Sequence, residues 1–149
     1  MKYIPLIFLF TLACKSSFNI TNIESKEPLI ILEKTSCRGK CPVYKASFYD
    51  EGVIILNAKE NFKYIGKHYK KIEKAEMKEL VGDFVKADFF SFEDKYTSRK
   101  TDLPTTFVTF NYEGKSKRIL DYSDAPRELN ELENKLKTII EGDDWIKME

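Results

Sequence analysis

Two glycine-containing turns constrain the fold of this chain most strongly, because each lies between two short segments rich in alternating apolar residues. The turn Asp50-Glu51-Gly52 follows an alternating segment at residues 43–49 and precedes an apolar segment at residues 53–56. Glycine supplies the positive φ that tight hairpins require, so such a turn joins neighbouring antiparallel strands. The pair Glu113-Gly114 predicts a second hairpin in the same way, between residues 105–112 and 115–122.

The remaining patterns complete an α+β fold. Short strands are predicted at residues 29–32 and 62–69, and apolar residues at helical spacing predict two helices. The first helix carries Met77, Leu80, Val81 and Phe84, and the second follows Ser123-Asp124-Ala125-Pro126 and carries Leu129, Leu132, Leu136 and Ile139. The predicted order is ββββαββα, which we interpret as an antiparallel sheet of about six strands with two helices packed on one face. Gly82 interrupts the first helix, and a close approach of helix to sheet would explain it.

The first fourteen residues have the pattern of an export signal. Lys2 gives a positive start, residues 4–12 are mostly apolar, and Ala13 precedes Cys14. A charged tip, a short apolar core and a small residue are typical of a secretory signal peptide. The cysteine at this position resembles the cleavage site of bacterial lipoproteins, in which that thiol carries the lipid. We therefore expect a signal peptide at residues 1–13, lipidation of Cys14, including palmitate, and a flexible tether at residues 14–27.

Size and charge limit the folded part to one domain without a nucleic-acid footprint. The chain has 149 residues with 25 basic and 24 acidic side chains, and removal of Lys2 with the signal leaves 24 of each. A neutral chain lacks the basic surface that nucleic acids require. Residues 28–149 are predicted to form a single domain.

The cysteine count agrees with export. Three cysteines leave one over after pairing, and lipidation of Cys14 would leave Cys37 and Cys41 as a pair. Disulfides persist in the oxidising compartment to which an exported protein is delivered. Three intervening residues can close such a ring if the chain turns sharply, with Gly39 permitting the turn and Pro42 fixing φ before the next strand.

The segment around these cysteines resembles a family of small bacterial lipoproteins and secreted proteins known only as a domain of unknown function. Its signature is T-x-C-x-G-x-C-P-x-Y, and the residues here are Thr35, Cys37, Gly39, Cys41, Pro42 and Tyr44. Further shared features are Asp50-x-Gly52, Phe89-Phe90, Tyr96, Asp102-x-Pro104 and Trp145. The resemblance would cover about residues 28–140 and implies no activity, cofactor or catalytic residue.

Two chemical interpretations of the cysteine pair stay open beside a purely structural disulfide. A C-x-x-x-C-P segment also resembles the Cu(I)-binding motif of copper-delivery proteins of thioredoxin fold, with His68 as a third ligand. Those proteins place the motif at a helix start, whereas a strand is predicted here, and His68 is expected to face solvent. Thiol–disulfide exchange is the second interpretation, with Arg38 and Lys40 favouring the thiolate.

Residues 93–104 form the other candidate site, a polar segment without periodicity. Long segments of this kind are often functional, and Asp94, Tyr96 and Asp102 are candidate contacts for a ligand or partner. No histidine lies nearby to support catalysis. We predict a non-enzymatic envelope lipoprotein without cofactor or metal. It would be anchored by lipid at the outer membrane and would bind an unknown envelope protein or ligand. A periplasmic thiol-redox or copper-handling protein is the alternative.

Overall fold

Six long strands form one open sheet, and two short strands extend its edges. The structure, a computed structural model, describes residues 20–149. The strands are β1 (Ile30–Lys34), β2 (Val43–Phe48), β3 (Val53–Glu60), β4 (Gly66–Lys71), β5 (Lys95–Tyr96), β6 (Thr106–Tyr112), β7 (Lys115–Asp121) and β8 (Ile146–Lys147). Their order across the sheet is β5-β7-β6-β1-β2-β3-β4-β8. All neighbours are antiparallel except β5 and β7, which are parallel.

Two helices cover one face of this sheet, which we call the helix face. They are α2 (Lys74–Lys86) and α3 (Arg127–Glu141), and a 3-10 helix at Phe89–Ser91 follows α2. Apolar residues of the central strands meet the apolar stripes of both helices in the main core. Its fully buried members include Ile30, Leu32, Phe48, Leu56, Leu80, Phe84, Phe89, Val108, Phe110, Ile119, Leu129, Leu136 and Ile140. The α+β class and the mostly antiparallel sheet are thus confirmed.

The strand count and order differ from the prediction. The sheet has eight strands rather than about six, because β5 and β8 contain only two residues each and leave no periodic pattern to detect. The fourth strand begins at Gly66, four residues later than predicted, and Phe62 instead packs beside Tyr44 with 5.1 Å between ring centroids. The described chain also holds three α-helices rather than two.

The third helix, α1 (Ile20–Glu24), lies on the opposite face of the sheet. Its Ile23 is buried with Tyr49, Val53 and Ile55 in a small second cluster. Residues 20–24 belong to the predicted tether of residues 14–27, so that part of the tether is a helix docked on the sheet. The predicted signal peptide and Cys14 lie outside the described residues. Within residues 20–149, no helix is both long and apolar enough to cross a membrane.

The start of α3 differs from the prediction, whereas its end agrees with it. Gly142 follows the helix as expected, but Pro126 occupies the N-cap position, and no side chain caps it. Asn130 instead reaches back and donates hydrogen bonds to the carbonyls of Ala125 and Pro126. After α3 the chain returns to the sheet, where Trp145 is buried and its Nε1 donates to the carbonyl of Ile140 at 3.0 Å.

Candidate functional site

A disulfide closes the loop between β1 and β2, at one end of the sheet. Cys37 and Cys41 are bonded, with 5.7 Å between their Cα atoms, which confirms the predicted pair. We call residues 35–42 the stapled loop. Gly39 lies inside the ring, but its φ is not in the left-handed region, so the ring closes without the special conformation that we predicted for it. A Cβ at Gly39 would only reach ordinary contact with Cys37 Sγ, at 3.7 Å.

Thr35 fixes the first residue of the stapled loop to a distant part of the chain. Its backbone N–H donates to the carbonyl of Thr105 at 3.0 Å, and the backbone N–H of Thr105 donates to Thr35 Oγ1 at 3.0 Å. Thr105 immediately precedes β6, so these bonds continue the β1–β6 ladder by one further pair. The signature threonine therefore positions the stapled loop beside the segment that ends at Pro104.

The segment at residues 97–104, which we call the partner loop, is tied down at several points. Asp102 Oδ1 pairs with Arg38 Nε of the stapled loop at 3.0 Å. Lys100 Nζ pairs with Asp124 Oδ1 at 3.4 Å, and the backbone N–H of Leu103 donates to the hydroxyl of Tyr122. The stapled loop and the partner loop thus form one continuous surface at this end of the sheet.

The three predicted contact residues of this segment have separate environments. Asp102 joins the stapled loop, whereas Asp94 is largely exposed and pairs with Lys117 of β7 at 3.1 Å. Tyr96 lies in β5, and its hydroxyl accepts a hydrogen bond from the backbone N–H of Glu93 at 3.0 Å. Asp94 and Asp102 have different cationic partners, so the structure does not bring these two carboxylates together.

A row of polar side chains crosses the helix face directly beneath the stapled loop. Strand register aligns Tyr44 with Lys34, Lys34 with Thr106, and Thr106 with Asp121. The neighbouring row, toward the middle of the sheet, is the apolar set Ala46, Leu32, Val108 and Ile119. The helix-face core therefore ends in a polar row where β1 enters the stapled loop.

Glu133 of α3 completes this row, and its electrostatics are unusual. Burial raises the pKa of Glu133 to about 8, with a further contribution from the nearby charge of Asp121. Burial likewise raises the pKa of Asp121 and of Tyr44, and it lowers the pKa of Lys34. Each of these shifts is mainly a desolvation effect, since removing a group from water disfavours its charged form.

Several polar atoms of the row lack hydrogen-bond partners. Among the described residues, Tyr44 Oη, Asp121 Oδ1 and Glu133 Oε1 are buried without a hydrogen-bond partner. Buried polar groups are ordinarily paired, because an unpaired group loses its hydration without compensation. Lys34 is the nearby cation, and Glu141 and Lys137 add further charges from α3. Burial therefore favours the uncharged forms of Glu133, Asp121 and Lys34 in the polar row beneath the stapled loop.

His68 does not support the predicted metal interpretation. It is buried rather than solvent-facing, on β4, and its ring lies 5.7 Å from the ring of Tyr64. Residues 20–149 contain no group of three or more histidine, cysteine or acidic side chains placed to bind one metal ion. His68 was expected to face solvent because the strand around it is rich in lysine.

Comparison with known families supplies one match. The family described as Domain of unknown function (DUF6438) matches residues 28–140. The chain belongs to the DUF6438 family. The matched range contains the stapled loop, the partner loop and the whole polar row. No curated protein matches the chain.

Within this DUF6438 domain, sequence reasoning found the signature residues but missed most of the polar row. Tyr44 was singled out as part of the motif, whereas Lys34, Asp121 and Glu133 were not. Lys34 and Asp121 are 87 positions apart, and strand register through Thr106 brings them into one row. Glu133 joins that row from helix α3. Lys34 and Asp121 are the last residues of β1 and β7, and no pattern in the sequence distinguishes them from other charged residues.

Proposed function

We propose that this DUF6438 protein is a lipid-anchored binding module of the bacterial cell envelope, without catalytic activity of its own. The stapled loop and the partner loop would form its contact surface. The observation that carries this proposal is the Arg38–Asp102 ion pair, together with the Thr35–Thr105 hydrogen bonds, which unite two exposed loops. A surface ordered before binding loses less conformational entropy when a partner arrives, which favours affinity.

The charge of this surface indicates the chemistry of its partner. The two loops carry the basic residues Arg38, Lys40, Arg99 and Lys100 and the single acid Asp102. Arg38 and Lys100 are paired with carboxylates, whereas no ion pair in the described chain includes Lys40 or Arg99. Leu103 adds an exposed apolar side chain in the same loop. An acidic protein surface with a small apolar depression fits this arrangement.

Site-specific crosslinking in the intact envelope tests the surface. A photoreactive residue at Leu103 should capture a defined partner, and the double change Lys40→Glu, Arg99→Glu should abolish capture. Arg127→Glu, an exposed charge reversal on α3, serves as the matched control and should leave capture unchanged. The proposal would be contradicted if Arg127→Glu reduced capture as much as the double change, or if the double change left capture unchanged.

The lipid anchor is supported by the sequence of residues 1–14 alone. If Cys14 carries lipid, five residues lie between it and Ile20, where α1 begins, and the six Cα-to-Cα steps span at most about 21 Å. The domain would then lie close to the membrane surface. Intact-mass analysis of the native protein should show diacylglycerol on Cys14, and Cys14→Ser should remain in the soluble fraction. Density fractionation then tests the proposed outer-membrane location.

The redox or copper-handling alternative requires a cysteine pair that is readily reduced or that binds Cu(I), whereas the binding proposal requires a stable disulfide. The disulfide is followed by strand β2 rather than by a helix, so the pair does not lie at a helix N-terminus, where redox-active cysteine pairs are usually found. Under the binding proposal, mild dithiol reductant leaves the bond intact and the folded protein takes up no Cu(I). Ready reduction at the potential of a dithiol oxidoreductase, or a tight Cu(I) complex of the reduced protein, would favour the alternative.

A further inference from the structure

Gly82 lies in the interior of α2, where neither its backbone nor its packing requires glycine. Glycine at such a position destabilises a helix by about 1 kcal/mol relative to alanine. The close approach to the sheet that we predicted for it is wrong, because a Cβ built at Gly82 would meet no atom of the sheet within 4 Å. Its φ is also outside the left-handed region. The missing side chain therefore leaves an open notch in the helix surface.

The notch opens into a cleft at the end of the sheet opposite the stapled loop. The cleft has a volume of about 620 Å³ and lies between α2 and the turns that follow β2 and β6. Its apolar lining comes from Leu29, Met77, Val81 and Val85, and Val85 is half exposed. A concave, largely apolar cleft of this size is in the range that small ligands occupy.

The charges around the notch are arranged along one ridge of the helix. Lys78, Gly82 and Lys86 follow one another at intervals of four residues, so the two lysines flank the glycine on the same side of α2. Eight residues of helix separate them by about 12 Å along the axis. Neither lysine takes part in an ion pair within the described chain. Met77, Val81 and Val85 form a parallel apolar ridge beside them.

Two acidic residues occupy the opposite rim. Asp50 and Glu113 lie in the turns after β2 and β6 and also line the cleft. A bound molecule would therefore meet positive charge along α2 and negative charge across from it. This asymmetry favours a ligand with one anionic group over a ligand with two, because a second anionic group at the far rim would be repelled.

We propose that this cleft binds a small amphipathic monoanion, such as a straight-chain carboxylate. The apolar chain lies against Leu29, Val81 and Val85, and the anionic group lies at the Gly82 notch between Lys78 and Lys86. Glycine at position 82 lets the ligand approach the helix backbone, which a side chain would prevent. This site is separate from the proposed contact surface of the loops, and neither proposal depends on the other.

Titration of the folded protein with decanoate, followed by two-dimensional NMR, tests the proposal. We expect saturable binding, with shifts at Val81, Val85 and Tyr112, and at least about tenfold weaker binding of uncharged decanol, which corresponds to 1.4 kcal/mol. Added salt should weaken decanoate binding more than decanol binding, since exposed charges are screened. Absence of saturable binding, or equal affinity for decanoate and decanol, would overturn the proposal.

Variants at the notch distinguish a specific site from nonspecific hydrophobic binding of the probe. Gly82→Leu should fill the notch and weaken decanoate binding by about tenfold or more, while the thermal midpoint shows that the domain still folds. The double change Lys78→Gln, Lys86→Gln should weaken decanoate binding but leave decanol binding unchanged. Lys95→Gln, an exposed lysine on β5, is the control and should alter neither. Wild-type affinity in the Gly82→Leu protein contradicts the proposal.

Discussion

Thr35 and Thr105 exchange two hydrogen bonds of 3.0 Å, and these bonds join loops that are 70 residues apart in sequence. The side chain of Thr35 accepts from the backbone N–H of Thr105, at a partly buried position. Thr35 is also the first residue of the T-x-C-x-G-x-C-P-x-Y segment noted in the sequence. The geometry gives that position a physical role, since only a short side chain with an acceptor oxygen can make this bond.

Replacing Thr35 by valine should therefore destabilise the domain. Valine keeps the shape but leaves the backbone N–H of Thr105 without its acceptor, which costs about 1–3 kcal/mol of unfolding free energy. Urea unfolding measures the loss. Thr35→Ser keeps the hydroxyl and should lose clearly less, and equal losses in the two variants would mean that the hydroxyl contributes nothing.

Removing the disulfide should weaken the fold without abolishing it. A five-residue ring constrains the unfolded chain by about 2 kcal/mol in the chain-entropy treatment, so Cys37→Ser with Cys41→Ser should lower the unfolding free energy by about that amount. Reduction of the wild-type protein should reproduce the loss, and reductant should not affect the double variant. An unchanged midpoint after reduction would show that the bond does not stabilise the domain.

Tyr44→Phe should leave the domain as stable as the wild type or slightly more stable. The hydroxyl of Tyr44 is buried without a hydrogen-bond partner, so its removal relieves a desolvation cost. Tyr44→Ala, by contrast, removes the buried ring and should cost about 3–5 kcal/mol. Thermal and urea unfolding compare the two variants. A loss of more than about 1 kcal/mol in Tyr44→Phe would reveal a partner for the hydroxyl.

Stability should fall as pH rises from about 5 to about 8. The folded state keeps the proton of Glu133 up to a pKa of about 8, whereas the unfolded chain loses it near the ordinary value of 4.5. Between these values the folded state binds more protons, so rising pH favours unfolding. The raised pKa of Asp121 acts in the same direction, and the lowered pKa of Lys34 acts in the opposite direction at alkaline pH.

Glu133→Gln isolates this effect. The amide cannot titrate, so the dependence of the unfolding free energy on pH between 5 and 8 should become flatter. Glu131→Gln changes an exposed carboxyl on the same helix and should keep the wild-type dependence. An unchanged slope in Glu133→Gln would show that another group holds the proton.

The sequence predicted the central sheet well because burial imposes a two-residue period on long strands. The hairpin turns at Gly52 and Gly114 could be located because glycine supplies the positive φ that such turns require, and both residues have positive φ. Helices α2 and α3 were predicted from their apolar stripes, although Ile140 rather than Ile139 is the last buried residue of α3. Helix α1 was missed, since five residues with one buried isoleucine give no detectable period.

The site was predicted only where its residues are adjacent in sequence. Cys37 and Cys41 lie close together in the chain, and assigning Cys14 to lipidation left them as the remaining pair. The Arg38–Asp102 pair and the alignment of Lys34 with Asp121 through Thr106 depend on strand order, which places β6 beside β1. No local pattern in the sequence encodes that adjacency.

The two-residue strands at the sheet margins also affect how this protein behaves among its own copies. Strand β8 pairs with only two residues of β4, and β5 pairs with only two residues of β7. Both margins carry basic side chains that are not buried, with Lys67 and Lys71 on β4 and Lys115, Lys117 and Arg118 on β7. Basic side chains at a sheet edge are one of the features that oppose strand-to-strand joining with another copy, so we expect these margins to resist edge-to-edge association.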